Sequence, residues 1–210
     1  MDNFRKYSTL LTLYLAQSIP MSFFSTVVPV IMRQENYSLV SIGLIQLVKL
    51  PWIIKFFWAP FIDKIGTSRD AYRRVILASE VFYAVIILGI AFFDLSTQFT
   101  TILVLMVVAF IASATQDIGT DAFAILSLKK KERSTGNSMQ SAGSFLGTLV
   151  GSGILLIVYH YLGWKALLVG LAGFVLVALI PLMIYPLKKE DGKPRVLPAD
   201  RARRAGLRDI

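Results

Sequence analysis

Six long apolar runs constrain this chain more than any other feature; they are separated by short segments that alternate between strongly basic and nearly uncharged. The hydrocarbon core of a bilayer is crossed by a helix of about 20 mostly apolar residues. The runs that reach this length are Leu10–Ile31, Val40–Pro60, Val75–Phe93, Thr101–Leu126, Met139–Leu162 and Ala166–Leu187. In lipid, backbone N–H and C=O groups must pair within their own segment or a closed barrel. Runs this long are helical, so the reading is an all-α membrane protein: a six-transmembrane-helix bundle over residues 1–187. The second and fourth runs are the least apolar, because they carry Lys49, Lys55, Asp117 and Asp121. Removing the fourth would place the two richest basic loops on opposite sides of the membrane.

Lysine and arginine mark the cytoplasmic side of a bilayer. The N-terminus has Arg5 and Lys6, the loop after the second run Lys64, Arg69, Arg73 and Arg74, and the loop after the fourth Lys129, Lys130, Lys131 and Arg133. The segment 188–210 adds eight more, so 18 of the 22 basic residues fall on one side, with only Arg33 and Lys165 opposite. Both termini are therefore expected in the cytoplasm. The formal charge of +9 is explained by this topology, and a nucleic-acid partner is not required. Segment 188–210 reads as a solvated linker or tail able to touch anionic lipid, with a short helix at 200–207. Arg5 and Lys6 ahead of an apolar run resemble a signal peptide, but the run is too long and lacks a small-x-small cleavage site, so it is read as a retained span.

The absence of cysteine and a single histidine, His160, leave no thiolate chemistry and little scope for a metal site or a Ser–His–Asp triad. The expectation is a protein without cofactor, metal site or enzymatic activity. Charges inside the bilayer are then the place to look, since each costs about 2.5–3.5 kcal/mol or more and usually faces a partner or a water-filled cavity. Lys49 lies near mid-depth of the second run, and Lys55 is placed to snorkel toward the cytoplasmic surface. Asp117 and Asp121 are four apart and share one helix face, with Gln116 turned away by about 100°. Asp117 and Lys49 either line a polar pathway for a cationic group or a proton, or form a structural pair tying two helices together. Glu80, early in the third run, is placed to reach Arg73 or Arg74. Tyr14, Gln17 and Met21 share a face beside Pro20, and Gln17 is either a ligand contact or inter-helix glue. Gln46 and Gln140 complete the candidate pathway of Gln17, Gln46, Lys49, Asp117, Asp121 and Gln140. In the fifth run Gly143, Gly147 and Gly151 repeat at intervals of four, the spacing that lets two helix backbones approach closely.

The segment KFFWAPFIDKIG, Lys55 to Gly66, ends in Asp63, Lys64 and Gly66, followed by Arg73 and Arg74. It resembles the loop signature of the major facilitator superfamily, G-x-L-A-D-R-x-G-R-K. Ala59 stands where the first glycine is usual, and an insertion displaces the basic pair. Leu50-Pro51-Trp52 with KFFWAPFIDK, and Ala114-Thr115-Gln116-Asp117-Ile118 with Asp121, are similar to the AmpG-like muropeptide permease and acetyl-CoA transporter group. The resemblance covers the N-terminal half of such a protein, which has twelve spans in two bundles. It implies a proton-coupled, alternating-access permease of the inner membrane for a small-molecule solute such as a muropeptide. It further implies that Asp63 closes the cytoplasmic side against a helix terminus of a second six-helix bundle, with Gly66 permitting a tight turn. The second bundle would be a missing C-terminal half or another chain. The remaining alternative is a membrane accessory or assembly protein that moves no solute.

Overall fold

The computed structural model describes residues 2–186. The tail 188–210 and its expected helix at 200–207 lie outside the described residues. Among those described, the chain is helical throughout, with no strand.

The first helical stretch is longer than its apolar run. Helix α1 (Asp2–Ser22) continues through a π turn at Phe23–Val27 into α2 (Val28–Gln34). Pro20 sits inside α1, without an N–H for the ladder and with its ring against the preceding turn. The π turn that follows absorbs the displaced register. Asn36, at φ 61, takes the left-handed conformation that ends the stretch.

The second stretch is broken. It consists of α3 (Leu39–Leu44), a 3-10 turn at Ile45–Lys49, α4 (Leu50–Ile54), a second 3-10 turn at Lys55–Phe57 and α5 (Ala59–Ile65). Pro51 and Pro60 each stand in the first turn of a new helical piece, where a missing N–H is tolerated. Helix α6 (Arg69–Ile90) opens on Ser68, whose side chain accepts from the Ala71 N–H at 3.2 Å. Helix α7 (Phe99–Ser127) is unbroken. A 3-10 turn at Lys130–Glu132 leads into α8 (Arg133–Leu149), and a π turn at Val150–Ile154 leads into α9 (Leu155–Ala178) and the short α10 (Ile180–Met183). Inside α9, Gly163 has φ 73 and ψ −178, a backbone that only glycine adopts easily, and it interrupts the helix between the fifth and sixth apolar runs.

Among the described residues, four helical stretches are long and apolar enough to cross a membrane: Asn3–Gln34, Leu39–Phe57, Phe99–Ser127 and Lys130–Met183. The last has 54 residues and contains the break at Gly163. Helix α6 is not among the four, because Arg69, Asp70, Arg73, Arg74 and Glu80 crowd its 22 residues. Many large apolar side chains face outward; Ile53, Phe57 and Phe145 are 68%, 67% and 71% exposed. An apolar surface this extensive would drive association in water and suits lipid as solvent.

The core has two parts. Phe23, Phe24, Phe110 and Tyr83 pack with Leu167, Leu168 and Leu171 in one. Leu10, Leu13, Tyr72, Ile76, Phe123 and Leu182 form the other. Tyr37 donates to the Leu95 carbonyl and Trp164 to that of Ile90, which gathers the weakly charged connections at one end. At the other end Arg73 donates to the Met183 carbonyl, and Lys6 reaches Glu132 at 3.2 Å.

Glu132 also accepts from the Lys129 N–H at 2.8 Å. That backbone bond first, and then Lys6, hold its carboxyl below the usual carboxylate range. A depressed folded value means the contribution is present above the unfolded value of about 4.3 and is lost as pH falls through the folded one. Glu132→Gln is therefore expected to lose less thermal stability than the parent chain between about pH 6 and about pH 3. Parallel melts of the two detergent-purified proteins check this; equal losses would remove the clasp from the acid response.

Candidate functional site

Helix α1 brings Gln17 to the same level as Asp117 of α7, and the Gln17 amide donates to Asp117 Oδ1 at 3.0 Å. One turn away the Tyr14 hydroxyl donates to Asp121 Oδ1 at 2.7 Å, and Gln140 of α8 approaches the same oxygen at 3.5 Å. The second carboxylate oxygen of Asp117 is taken by Lys55. Three helical stretches therefore converge on two carboxylates four residues apart on α7.

The Lys55–Asp117 pair replaces the alternative in which Lys49 is the structural partner of Asp117, and Lys55 does not snorkel away. In an uninterrupted α-helix, six residues would turn Lys55 by roughly 240° from Lys49. The stretch between them is short and flanked by 3-10 turns, which wind more tightly, and both lysines reach one cavity. Lys55 also stacks over the Trp52 ring, 4.9 Å from its centroid. Asp117 is 5% exposed at its side chain and Lys55 30%, so the carboxylate is the more deeply desolvated partner.

The cavity has a volume of about 430 Å³. Gln17, Lys49, Lys55, Asp117, Asp121 and Gln140 line it, together with Ser18, Ser22, Ser25, Thr26, Ser144, Thr148, Met21 and Trp52. Five of the six candidate pathway residues are thus brought together. Gln46 is not: its amide donates to the Ser25 carbonyl at 3.2 Å and ties the second stretch to the π turn of the first. Tyr14, Trp52 and Lys55 are site residues that sequence reasoning did not assign. Tyr14 shares a helix face with Gln17 three residues on, which was the available signal. A carboxylate pair, an ammonium group and several amides and hydroxyls can hold a polar, charge-bearing solute or exchange a proton. Among the described residues no cluster of His, Cys, Asp and Glu is placed to hold a metal.

The cavity wall depends on glycine. A Cβ at Gly143 would lie 2.7 Å from Tyr14 Cβ, one at Gly147 2.5 Å from Ser18 Cβ, and one at Gly151 2.8 Å from Ser22 Cβ. Helices α1 and α8 are thus in near backbone contact, and Ser22 donates across the seam to the Thr148 carbonyl at 3.1 Å.

The loop motif does not gather into one cluster. Asp63 accepts from the Tyr72 hydroxyl at 2.9 Å, Lys64 lies over the Phe61 ring, Arg74 pairs with Asp70 one turn back, and Arg73 is held by Met183. Gly66 was expected to serve a tight turn, but its φ of −82 is open to any residue. Its need is space: an added Cβ would lie 2.7 Å from Tyr72 Cδ1, inside the ring that holds Asp63. Glu80 does not reach Arg73 or Arg74. It is fully buried, and Arg73 is seven residues away, about 10 Å along the helix axis.

The Major Facilitator Superfamily profile matches residues 10–209. The anhydromuropeptide permease of Escherichia coli K12 is 31% identical over 203 residues, covering 96% of this chain and 41% of the permease. A Rickettsia typhi protein designated AmpG 3 is 32% identical over 148 residues, 66% of this chain and 34% of its own length. Another from that organism, designated AmpG 2, is 23% identical over 163 residues, 76% of this chain and 40% of its own length. The chain spans about two fifths of the length of these curated relatives.

Proposed function

Because the chain belongs to the Major Facilitator Superfamily, we propose that it is a six-helix bundle of a proton-coupled, alternating-access permease for muropeptide-type solutes. The observation that carries this reading is the cavity that holds Lys55, Asp117 and Asp121 among amides and hydroxyls, in a bundle whose outer surface is apolar. Intramembrane charges that face a cavity mark solute or ion paths, and in folds of this kind the site lies at mid-membrane between two bundles.

The six spans are the apolar runs, with the third carried by α6 and the fifth and sixth divided at Gly163. The basic loops, gathered at one end with Lys6 and Glu132, lie in the cytoplasm with both termini, and the membrane is the inner one. A second six-helix bundle, on the same longer chain or on another, closes the open side of the cavity. Asp63, Lys64, Gly66, Arg73 and Arg74 form the cytoplasmic gate, with Asp63 presented by Tyr72 to a helix N-terminus of that bundle. The solute class follows the name of the Escherichia coli relative, and the Asp117–Lys55 pair offers the exchangeable proton site.

Membrane vesicles containing this chain together with its second bundle are expected to accumulate labelled anhydromuropeptide when an inward proton gradient is imposed, and to stop when an ionophore collapses it. Uptake no faster than in vesicles without the chain sinks the transport reading and favours an accessory role.

A further inference from the structure

Away from the cavity, the interface between α6 and α7 holds a second polar group of residues that the transport site does not use. Ile76 of α6 packs against Gly119 of α7, where an added Cβ would stand 3.0 Å from Ile76 Cγ1. Helices α6 and α7 are joined by the short connection 91–98 and run antiparallel. One turn along, this register sets Glu80 opposite Gln116, and three residues further Tyr83 beside Ser113. On this register Tyr83 faces Ser113, and it lies three residues on from Glu80 along the same helix face. All four residues are at most 0% exposed. Both carboxyl oxygens of Glu80, the Tyr83 hydroxyl, the Ser113 hydroxyl and both amide atoms of Gln116 have unmet hydrogen-bonding capacity.

Among the described residues no cation is paired with Glu80. On its own helix Arg73 is engaged by Met183 and Arg74 by Asp70. From α7 the neighbouring groups are neutral, and Asp117 turns toward the cavity, where Lys55 and Gln17 hold it. Helix α9, which also packs on α6, contributes Leu167, Leu168, Leu171 and Val175 to the core, and its one charged residue, Lys165, lies over Phe92. An isolated carboxylate in such surroundings is far less stable than the neutral acid.

We propose that Glu80 is a proton-binding site separate from the cavity carboxylates, carried as the neutral acid and able to ionise only when water enters the α6–α7 seam. On ionisation the O–H bond of the acid breaks and its proton leaves on that water. The carboxylate that remains accepts from Tyr83, Ser113 and the Gln116 amide, each of which can also serve as acceptor to the acid. The seam thus has two states that differ by one proton, and pH sets the balance between them.

Infrared spectroscopy of the full chain in lipid tests this without reference to transport. At neutral pH, wild-type protein should show the carbonyl stretch of an un-ionised carboxylic acid, and that band should be lost in Glu80→Gln. Glu80→Asp should retain a band at a shifted frequency. Labelling with ¹³C-glutamate covers the case in which Glu80→Gln does not fold: among the described residues Glu80 is the one buried glutamate, so the acid band should move with the label. A glutamate spectrum of carboxylate bands alone at neutral pH overturns the proposal. So does a ¹³C-glutamate acid band that survives in folded Glu80→Gln. Failure of solute uptake by the wild-type chain counts against the permease reading and leaves this test unaffected.

Discussion

Lys55→Met is expected to destabilise the folded chain by about 3–5 kcal/mol, because it leaves the Asp117 carboxylate, 5% exposed, without its counter-ion. The reverse change is milder. Asp117→Asn keeps an oxygen for the Gln17 amide and leaves Lys55, 30% exposed, stacked on Trp52. An ammonium with access to water and an aromatic face gives up about 1–2 kcal/mol when it loses a hydrogen-bonded partner. Combining Lys55→Met with Asp117→Asn should recover most of the loss, since no buried charge is then left without its partner. Unfolding of the four detergent-purified proteins supplies the double-mutant cycle. Equal losses in the two single variants, or simple addition in the double, would show that Asp117 does not depend on Lys55.

Gly147→Val carries the second large effect, about 3 kcal/mol or more. Its Cβ would enter Ser18 Cβ at 2.5 Å and stand 3.3 Å from the Ile19 backbone nitrogen, so relief requires moving α1 itself. That movement would carry Tyr14 and Gln17 away from Asp121 and Asp117, and damage to the site should accompany the loss of stability. Gly170→Ala is the control. Nothing lies within 4 Å of a Cβ there, in the part of α9 beyond the Gly163 break. Alanine is favoured over glycine in a helix by up to about 1 kcal/mol. A Gly147→Val protein that melts with wild type would mean that α1 and α8 are not in the contact seen here.

The helical class and the superfamily were legible because both rest on local pattern. Apolar runs of membrane-spanning length force helices whatever their neighbours do, and the Asp63–Gly66 and Asp117–Asp121 motifs are contiguous in the chain. Helix α7, Phe99–Ser127, extends only slightly beyond the run read at Thr101–Leu126. The interval of four between glycines was also readable, but its partner was not, since nothing in 143–151 names Tyr14, Ser18 and Ser22.

Other features could not be read this way. The second run looks like one helix by hydropathy, yet 3-10 turns interrupt it, and the change in winding decides that Lys55 takes Asp117. Gly66 sits in a motif that suggests a turn, whereas the Tyr72 ring explains it. Glu80 follows two arginines by six and seven residues, and a one-dimensional reading pairs it with them; the packing of α6 on α7 buries it instead.

By itself the sequence determined the solvent of this protein, its helical character and its superfamily, because hydrophobic length and short motifs act over a few turns of chain. Which cation meets which carboxylate, and which acid is sealed from water, only the tertiary structure decided. Those outcomes depend on distances between segments some 60 to 100 residues apart, and helix periodicity fixes only the face on which a side chain lies, not what is packed against it.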